Sequence, residues 1–500
     1  AEPNLVVEER ETGDHVERLR EELGLPGFFA RVLSARGVER RDDVDLSLAG
    51  LLPPGSLRDV DRAAARIVAA IEADERILVV GDFDADGATA SALVVSLLRA
   101  MGGGFVDYLV PNRFEFGYGL TPEIVTLARE RDPALIVTVD NGISSGSGVR
   151  AAKDAGIDVI VTDHHLAPAD MPPAYAIVNP NQPDCAFASG ALAGVGVAYY
   201  VMSVVRAQLR QRGRFATFPA PNLGDWLDLV ALGTVADVVP LDRNNRILVH
   251  NGLRRMRAGR VRPGIKALAE VARRPLDRLT AQDLGFGLGP RLNAAGRLDD
   301  ISIGIQCLLA EDLDHARSLA IALDELNKTR REIEDDMNAD AQILISTGED
   351  EGAAGLCVSD ESWHQGVIGI VAGRMREKFH RPVIAFADAG ANAPSEVKGS
   401  ARSVPGVHIR DAIDDIATRY PGLVEKFGGH AMAAGLSLKR IHLERFRRAF
   451  ADAVSERADP RDLMGIQTSD GELPLEDTTL QSAYLLSLIH ISEPTRLHCI

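Results

Sequence analysis

The stretch GDFDADG, residues 81–87, sets Asp82, Asp84 and Asp86 at alternate positions and then breaks on a glycine. Along an extended segment Asp82 and Asp84 face the same side, and Asp86 falls in the turn that follows. Carboxylates crowded in this way repel, raise one another's pKa and destabilise the fold unless a divalent cation neutralises them. Hard oxygen ligands joined by an imidazole suit manganese or magnesium better than a thiolate-seeking metal. Two further stretches supply companions: VTVDNG ends an apolar run on Asp140, and VTDHH ends another on Asp163, His164 and His165. One acidic turn of this kind is ordinary in proteins. Three apolar runs that each end in acid or imidazole argue for a site, with the paired histidines as ligand and acid. A fourth candidate, Asp237 in ADVVPL, reads equally well as a turn or cap aspartate and as a ligand.

These residues need elements to bring them together. RILVV (76–80), ALIVTV (134–139) and DVIVT (158–162) read as buried strands. Between them TASALVVSLLRAM (89–101), PEIVTLARER and SGVRAAKDAG read as helices. The pattern is βαβαβ, which predicts a parallel sheet with right-handed crossovers and one crevice at the carboxyl ends of the strands. All three strands then deliver their acids and imidazoles to that edge. Further on, HARSLAIALDELNKTRREIEDDMNADAQIL (315–344) has a 3.6-residue period with a charged opposite face. It is read as a helix connecting two domains rather than as a partner-binding helix. Strand-like GLCVSD and PVIAFA follow around a helix, and then Gly428-Gly429-His430, where glycine lets backbone approach a phosphate closely.

Composition bounds the reading. The 500 residues are 46% hydrophobic, enough for two or three well-filled domains. No apolar run is long enough to span a membrane, and AEPNLVVEERETGDHVERLR lacks the basic-then-apolar order of a secretory leader. A soluble, cytoplasmic protein is expected. The four cysteines form no CxxC pair, so neither a disulfide framework nor a thiolate zinc site is indicated. A net charge of −17 excludes nucleic-acid binding through bulk positive potential but leaves room for a local basic groove with metal ions.

GDFDADG, VTVDNGIS, VTDHH and ALGTVADVVPL, in this order, resemble the successive motifs of the DHH phosphoesterase superfamily. PNRFEFGYGL, LAGVGVAYY and GFGLGPRLNAAGRLDD are similar to its bacterial branch of exonucleases that degrade single-stranded DNA from the 5′ end. WHQGVIGIVAGR, KGSARS and KFGGHAMAAGLSL resemble the superfamily's DHHA1 domain, so the resemblance spans about residues 30–485. It implies an α/β fold: a parallel-sheet DHH domain (75–314) after an N-terminal helical region (1–74), a connecting helix (315–345) and a smaller α/β DHHA1 domain (346–460). Residues 461–486 resemble the start of a truncated OB-fold, and 487–500, which do not continue that pattern, are expected to be a non-native tail. The resemblance also implies two Mn2+ or Mg2+ ions held by Asp84, Asp86, Asp140, His164 and Asp237, with Asp140 bridging and Asp82 within reach. Many relatives carry a metal-assisting histidine four residues before Asp84, where this chain has Val80.

His165 would face the scissile phosphate, and Arg291, Asn293 and Arg297 would hold phosphate from a loop, the arginines through their planar fork. Arg113 and Tyr118 would line a narrow passage for a single strand, where a base can stack. Ser400, Arg402 and Ser403, with Gly429 and His430, would grip the 5′ end. The implied partner is single-stranded DNA with a 5′ end, with a single-stranded-DNA-binding protein and a helicase as accessory partners, no membrane, and a monomeric enzyme. Two other readings compete: a DHH phosphodiesterase for oligoribonucleotides or cyclic dinucleotides, and a non-catalytic DHH scaffold. The stretch of 71 residues between His165 and Asp237, with the motif at 111–120, favours a long substrate, and the intact ligand positions argue against a scaffold.

Overall fold

The computed structural model describes residues 5–111, 118–216, 218–347, 352–390 and 393–492. Its first domain is built on five strands, Ile77–Gly81, Val106–Leu109, Leu135–Val139, Asp158–Thr162 and Ala176–Val178. All pair in parallel, and Ile77–Gly81 lies between Val106–Leu109 and Leu135–Val139. The three expected strands are present. Val106–Leu109 and Ala176–Val178 extend the sheet at its two edges.

Each central strand is buried on both faces, as the unbroken apolar runs require. Ile77 and Val79 point into one core with helices Val60–Glu72, Ala85–Ala100, Gly194–Gln211 and Leu227–Ala236. Leu78 and Val80 point into a second core under Pro122–Arg129 and Gly146–Asp154. The chain runs out to Val106–Leu109, then returns across Ile77–Gly81 to Leu135–Val139. That reversal opens a crevice at the carboxyl ends of Ile77–Gly81 and Leu135–Val139, the place where doubly wound sheets bind ligands. Asp82 and Asp140 follow those two strands directly.

The helix Leu313–Thr347 leaves this domain and enters the next. Ala316, Ala320 and Leu323 belong to the first core, and Met337, Ala341 and Ile345 to the core of the second domain. At the crossover Arg330 donates to both Asn327 and Glu334, and Arg374 of the second domain joins Glu334 at 3.2 Å. The second sheet runs in the order Lys426–Gly429, Ala433–Lys439, Glu396–Arg402, Val383–Asp388, Leu356–Ser359, antiparallel except for the last pair.

The ends of the described chain differ from the sequence reading. Leu5–Glu9 is a strand, and it pairs in parallel with Gly465–Ser469. Arg36 forks onto Asp470 at 2.7 and 2.8 Å, while Leu485 and Leu486 pack on Phe28, Phe29 and Val32. Residues 461–486 therefore pack with the N-terminal region, through the strand Gly465–Ser469 and through Leu485 and Leu486. Among the described residues no helix is long and apolar enough to cross a membrane.

Candidate metal centre

The acidic loop is locked by its own backbone. Asp84 caps the helix Ala85–Ala100 by accepting from the Gly87 N–H at 3.0 Å, so the helix begins four residues earlier than its apolar pattern suggests. Asp86 thus sits in the first helical turn, where the positive helix end favours a carboxylate. It also accepts from the N–H groups of Gly194 and Val195 at 2.6 and 2.9 Å, at the start of a second helix. Tight packing explains several motif glycines. A Cβ at Gly87 would lie 2.6 Å from the Asp82 carbonyl oxygen, at Gly194 2.6 Å from Asp140 Cβ, and at Gly233 2.9 Å from Asp86 Oδ1.

Asp140 has a left-handed backbone, φ 61°, sparse territory for a side chain that is not glycine. Asn141 fixes the two strand ends beside it, donating to the carbonyls of Val80 at 3.1 Å and Val139 at 2.9 Å. Asp163 is fully buried and is spent on its own turn. Its carboxylate accepts from the N–H of Ile143 at 2.8 Å, of His164 at 2.7 Å and of His165 at 3.1 Å, and takes the Nδ1–H of His165 at 2.7 Å. Asn181 and Asn179 hold the carbonyls of His164 and His165 at 2.6 and 2.9 Å. Asp237 ends the helix Leu227–Ala236, and Val238 after it has φ 65°, an outlier for a β-branched residue.

These elements bring the acids and the imidazoles into overlapping groups. Asp82, Asp84 and Asp140 offer ligand atoms within 4.8 Å of one another, and so do Asp86, His164 and Asp237, and Asp140, His164 and His165. His164 Nε2 lies 3.2 Å from Asp140 Oδ1 and 3.4 Å from Asp237 Oδ2. Neither contact is a hydrogen bond, and among the described residues all three atoms are buried without a hydrogen-bond partner. Such a cluster is expensive unless something else bonds to it. Burial, then the charges of their neighbours, push Asp86 and Asp140 well above the usual carboxylate range. Burial raises Asp237 too, against the opposing charge of His164. For His165 the lowering effect of burial is overcome by the hydrogen bond and charge of Asp163, and the ring is raised to about 9. The donor set, hard oxygens with one imidazole, fits divalent manganese or magnesium. Val80, in place of the relatives' histidine, is simply a core strand residue.

The expected phosphate loop is a helix. Residues 281–298 are continuously helical, with a π-helical turn at Asp283–Leu288. Pro290 opens the α-helical part, and Gly296 serves close approach rather than a turn, since a Cβ there would lie 1.7 Å from the Phe83 carbonyl oxygen. The helix aims its three expected residues apart. Arg291 is nearly buried and pairs with Asp324 of the long helix at 2.7 Å. Asn293 accepts the Ala85 N–H at 2.8 Å and so fixes the acidic loop. Arg297 reaches the Gly366 carbonyl at 3.2 Å and lines the gap between the domains.

That gap holds a cleft of about 770 Å³ and a second of about 580 Å³, which share Arg297, Gly369 and Arg402. Arg402 donates to Ser400 Oγ at 3.2 Å, and burial lowers its pKa. The Ser403 hydroxyl donates to the Val407 carbonyl at 2.6 Å, so it holds its own loop at the wall of the larger cleft. Gly429 has φ 141° in a hairpin where a Cβ would meet the Ala433 carbonyl oxygen at 2.4 Å. His430 is lowered by burial and then by the charge of His165, which it faces across the domain boundary. Tyr118 donates to the Asp140 carbonyl and meets His165 Nδ1, each at 3.3 Å. Arg113 lies outside the described residues.

Sequence reasoning placed Asp163 at the site edge without its positioning role, and missed the other residues that hold the site rather than line it: Asn141, Asn179, Gly194 and Gly233. The aspartate of DHH and the motif glycines were visible as letters, but their contacts come from distant helices.

A doubly wound sheet with an acid–imidazole cluster at its switch point, faced by a second α/β domain, defines a two-domain, metal-dependent phosphoesterase. Family models agree, matching the DHH family, N-terminal domain, over residues 76–234 and the DHHA1 domain over 351–456. The single-stranded-DNA-specific exonuclease RecJ of Dickeya dadantii is 54% identical over 467 residues, covering 92% of this chain and 81% of that protein. A crystal structure of RecJ in complex with Mn2+ from Thermus thermophilus superposes with a TM-score of 0.82 at 29% identity, covering 98% of this chain and 68% of that one. The Mg2+ complex from the same organism gives a TM-score of 0.75 at 27% identity, with 98% and 67% covered. The chain belongs to the RecJ family of the DHH phosphoesterases.

Proposed function

We propose that this chain is a manganese- or magnesium-dependent exonuclease that hydrolyses single-stranded DNA from its 5′ end to mononucleotides. The observation that carries the reading is the buried trio Asp140 Oδ1, His164 Nε2 and Asp237 Oδ2, left without hydrogen bonds among further carboxylates at the switch point. Asp84, Asp86, Asp140, His164 and Asp237, with Asp82 in reach, would hold two divalent cations. When bound, such cations make a nucleophile of water at neutral pH and offset charge on the phosphate.

The protein's own residues bind and orient. Asp163 takes the Nδ1–H of His165 and so fixes the ring, leaving Nε2 for a phosphate oxygen. Tyr118 buttresses that ring and the Asp140 carbonyl. Asn293 steadies the acidic loop, Arg291 anchors its helix to the connecting helix, and Arg297 faces the strand. The half-buried Arg402 with Ser400, beside His430 and Gly429, would take the 5′ end, because a partly desolvated guanidinium seeks an anion. A helicase would supply the unwound strand and a single-stranded-DNA-binding protein would keep it open. One chain contributes every residue named, so a cytoplasmic monomer suffices.

The test is to incubate 5′-labelled single-stranded DNA, duplex DNA and a dinucleotide with the chain and Mn2+. Release of labelled mononucleotide from the single strand alone is expected. Preference for the dinucleotide, or no hydrolysis of any substrate, would sink the reading.

A further inference from the structure

The π-helical turn Asp283–Leu288 displays a residue the site does not use. Leu284 and Leu288 of this turn are wholly buried, whereas Phe286 between them is 43% exposed on the wall of the larger cleft. A π-turn breaks the regular helical ladder and recurs at functional positions. This one is firmly held. Asp283 accepts from the Thr280 N–H at 2.9 Å and hydroxyl at 2.8 Å and pairs with Arg274 at 3.3 Å, while Arg291 donates to the Gly287 carbonyl. A rigid aromatic ring kept in water beside Asp237, Val238 and Asn293 is poised for a ligand that replaces the water.

The ligand's chemistry follows from the surroundings. Six arginines and three acids line the same cleft, and one of those acids, Glu334, is already bonded to Arg330 and Arg374. Arg331 is exposed on the long helix and, among the described residues, has no ion-pair partner. An aromatic face with guanidinium groups around it suits an unpaired base and its phosphate. We infer that Phe286 is a base-stacking platform at the mouth of the site, with Arg331 contacting the adjoining phosphate. This inference deepens the proposed function and rests on it. It also gives the site a way to prefer single strands, because a paired base offers its face only to its neighbours in the stack.

The test separates binding from hydrolysis. Anisotropy of a labelled single-stranded oligonucleotide, without divalent cation, gives the affinity of the full chain and of Phe286→Ala, Phe286→Trp, Phe286→Leu and Arg331→Ala. Loss of one stacked base corresponds to about a 5- to 150-fold weakening. Phe286→Ala should weaken binding within that range, Phe286→Trp should retain it, and Phe286→Leu should fall near Ala. A single abasic site walked along the oligonucleotide should weaken the wild type at one position and leave Phe286→Ala indifferent there. Arg331→Ala should flatten the salt dependence of binding. In hydrolysis with Mn2+, Phe286→Ala should raise KM with kcat within about twofold. Unchanged binding by Phe286→Ala, or full retention by Leu, would overturn the inference while the exonuclease reading stands. A wild type that binds with this abasic signature but never hydrolyses would overturn the exonuclease reading alone.

Discussion

Asp163 and His165 divide the work within one short motif. The aspartate takes four N–H groups, three from backbone and one from the ring, so its role is to fix His165 rather than to hold a cation. His165→Ala should lower kcat by about 10²- to 10⁴-fold, the usual range for a positioned acid or base. Calorimetric titration should still find two Mn2+ per chain, and loss of one would place His165 among the ligands. Asp163→Asn should lower kcat by about 10- to 100-fold, as outer-shell changes at metal sites do. Asparagine cannot accept from all four donors, because one of its atoms is itself an N–H donor. The variant should therefore also melt earlier. An unchanged kcat with a lowered melting temperature would make Asp163 purely structural.

Elements were legible in proportion to how local their signals were. The strands 77–81, 135–139 and 158–162 showed as apolar runs because both their faces are buried. Val106–Leu109 is an edge strand with only its first residue buried, and Ala176–Val178 has three residues, so neither leaves a pattern. The candidate metal-site acids were legible because Asp82 and Asp140 directly follow strands and Asp84 and Asp86 lie in the same short motif, whereas Asp237 was ambiguous because it follows a helix. The helix 289–298 reads as a loop in the sequence because glycine and asparagine usually break helices. Gly296 is there for a long-range reason, the approach of the Phe83 carbonyl. That contact sets opposite signs for two alanine substitutions. In an open helix interior Gly→Ala stabilises by about 1 kcal/mol. Gly373 has nothing within 4 Å of its would-be Cβ, so Gly373→Ala should raise the unfolding midpoint. Gly296→Ala should lower it, since overpacking costs about 1–3 kcal/mol, and should reduce turnover by moving the acidic loop. If chemical denaturation found both variants stabilised, Gly296 would not be a contact glycine.

At the scale of the molecule, the acids that serve the site also strain the fold. Asp86, Asp140 and Asp237 lie at the centre of the catalytic domain, where burial and mutual charge disfavour their ionised forms. Around them the helix Leu313–Thr347 ties two cores together, so the cost of that crowding is borne by packing elsewhere. A cation that binds only the folded chain repays this by mass action, by about 2.7 kcal/mol at a concentration 100 times its Kd. The two effects should separate in one variant. Asp140→Asn removes a charge from the middle of the cluster and keeps the side-chain shape. Asparagine tolerates the left-handed backbone as aspartate does, so the φ of 61° adds no new strain. Without divalent cation the variant should melt above the wild type, because one buried repulsion is gone. With millimolar Mn2+ the order should reverse, because the wild type gains the binding free energy and the variant gains little of it. Thermal melts of both proteins in chelator and in Mn2+ read the four values directly. A wild type that melts higher in both conditions would mean that Asp140 is stabilised by its protein neighbours, and that the acidic cluster is not held together by metal.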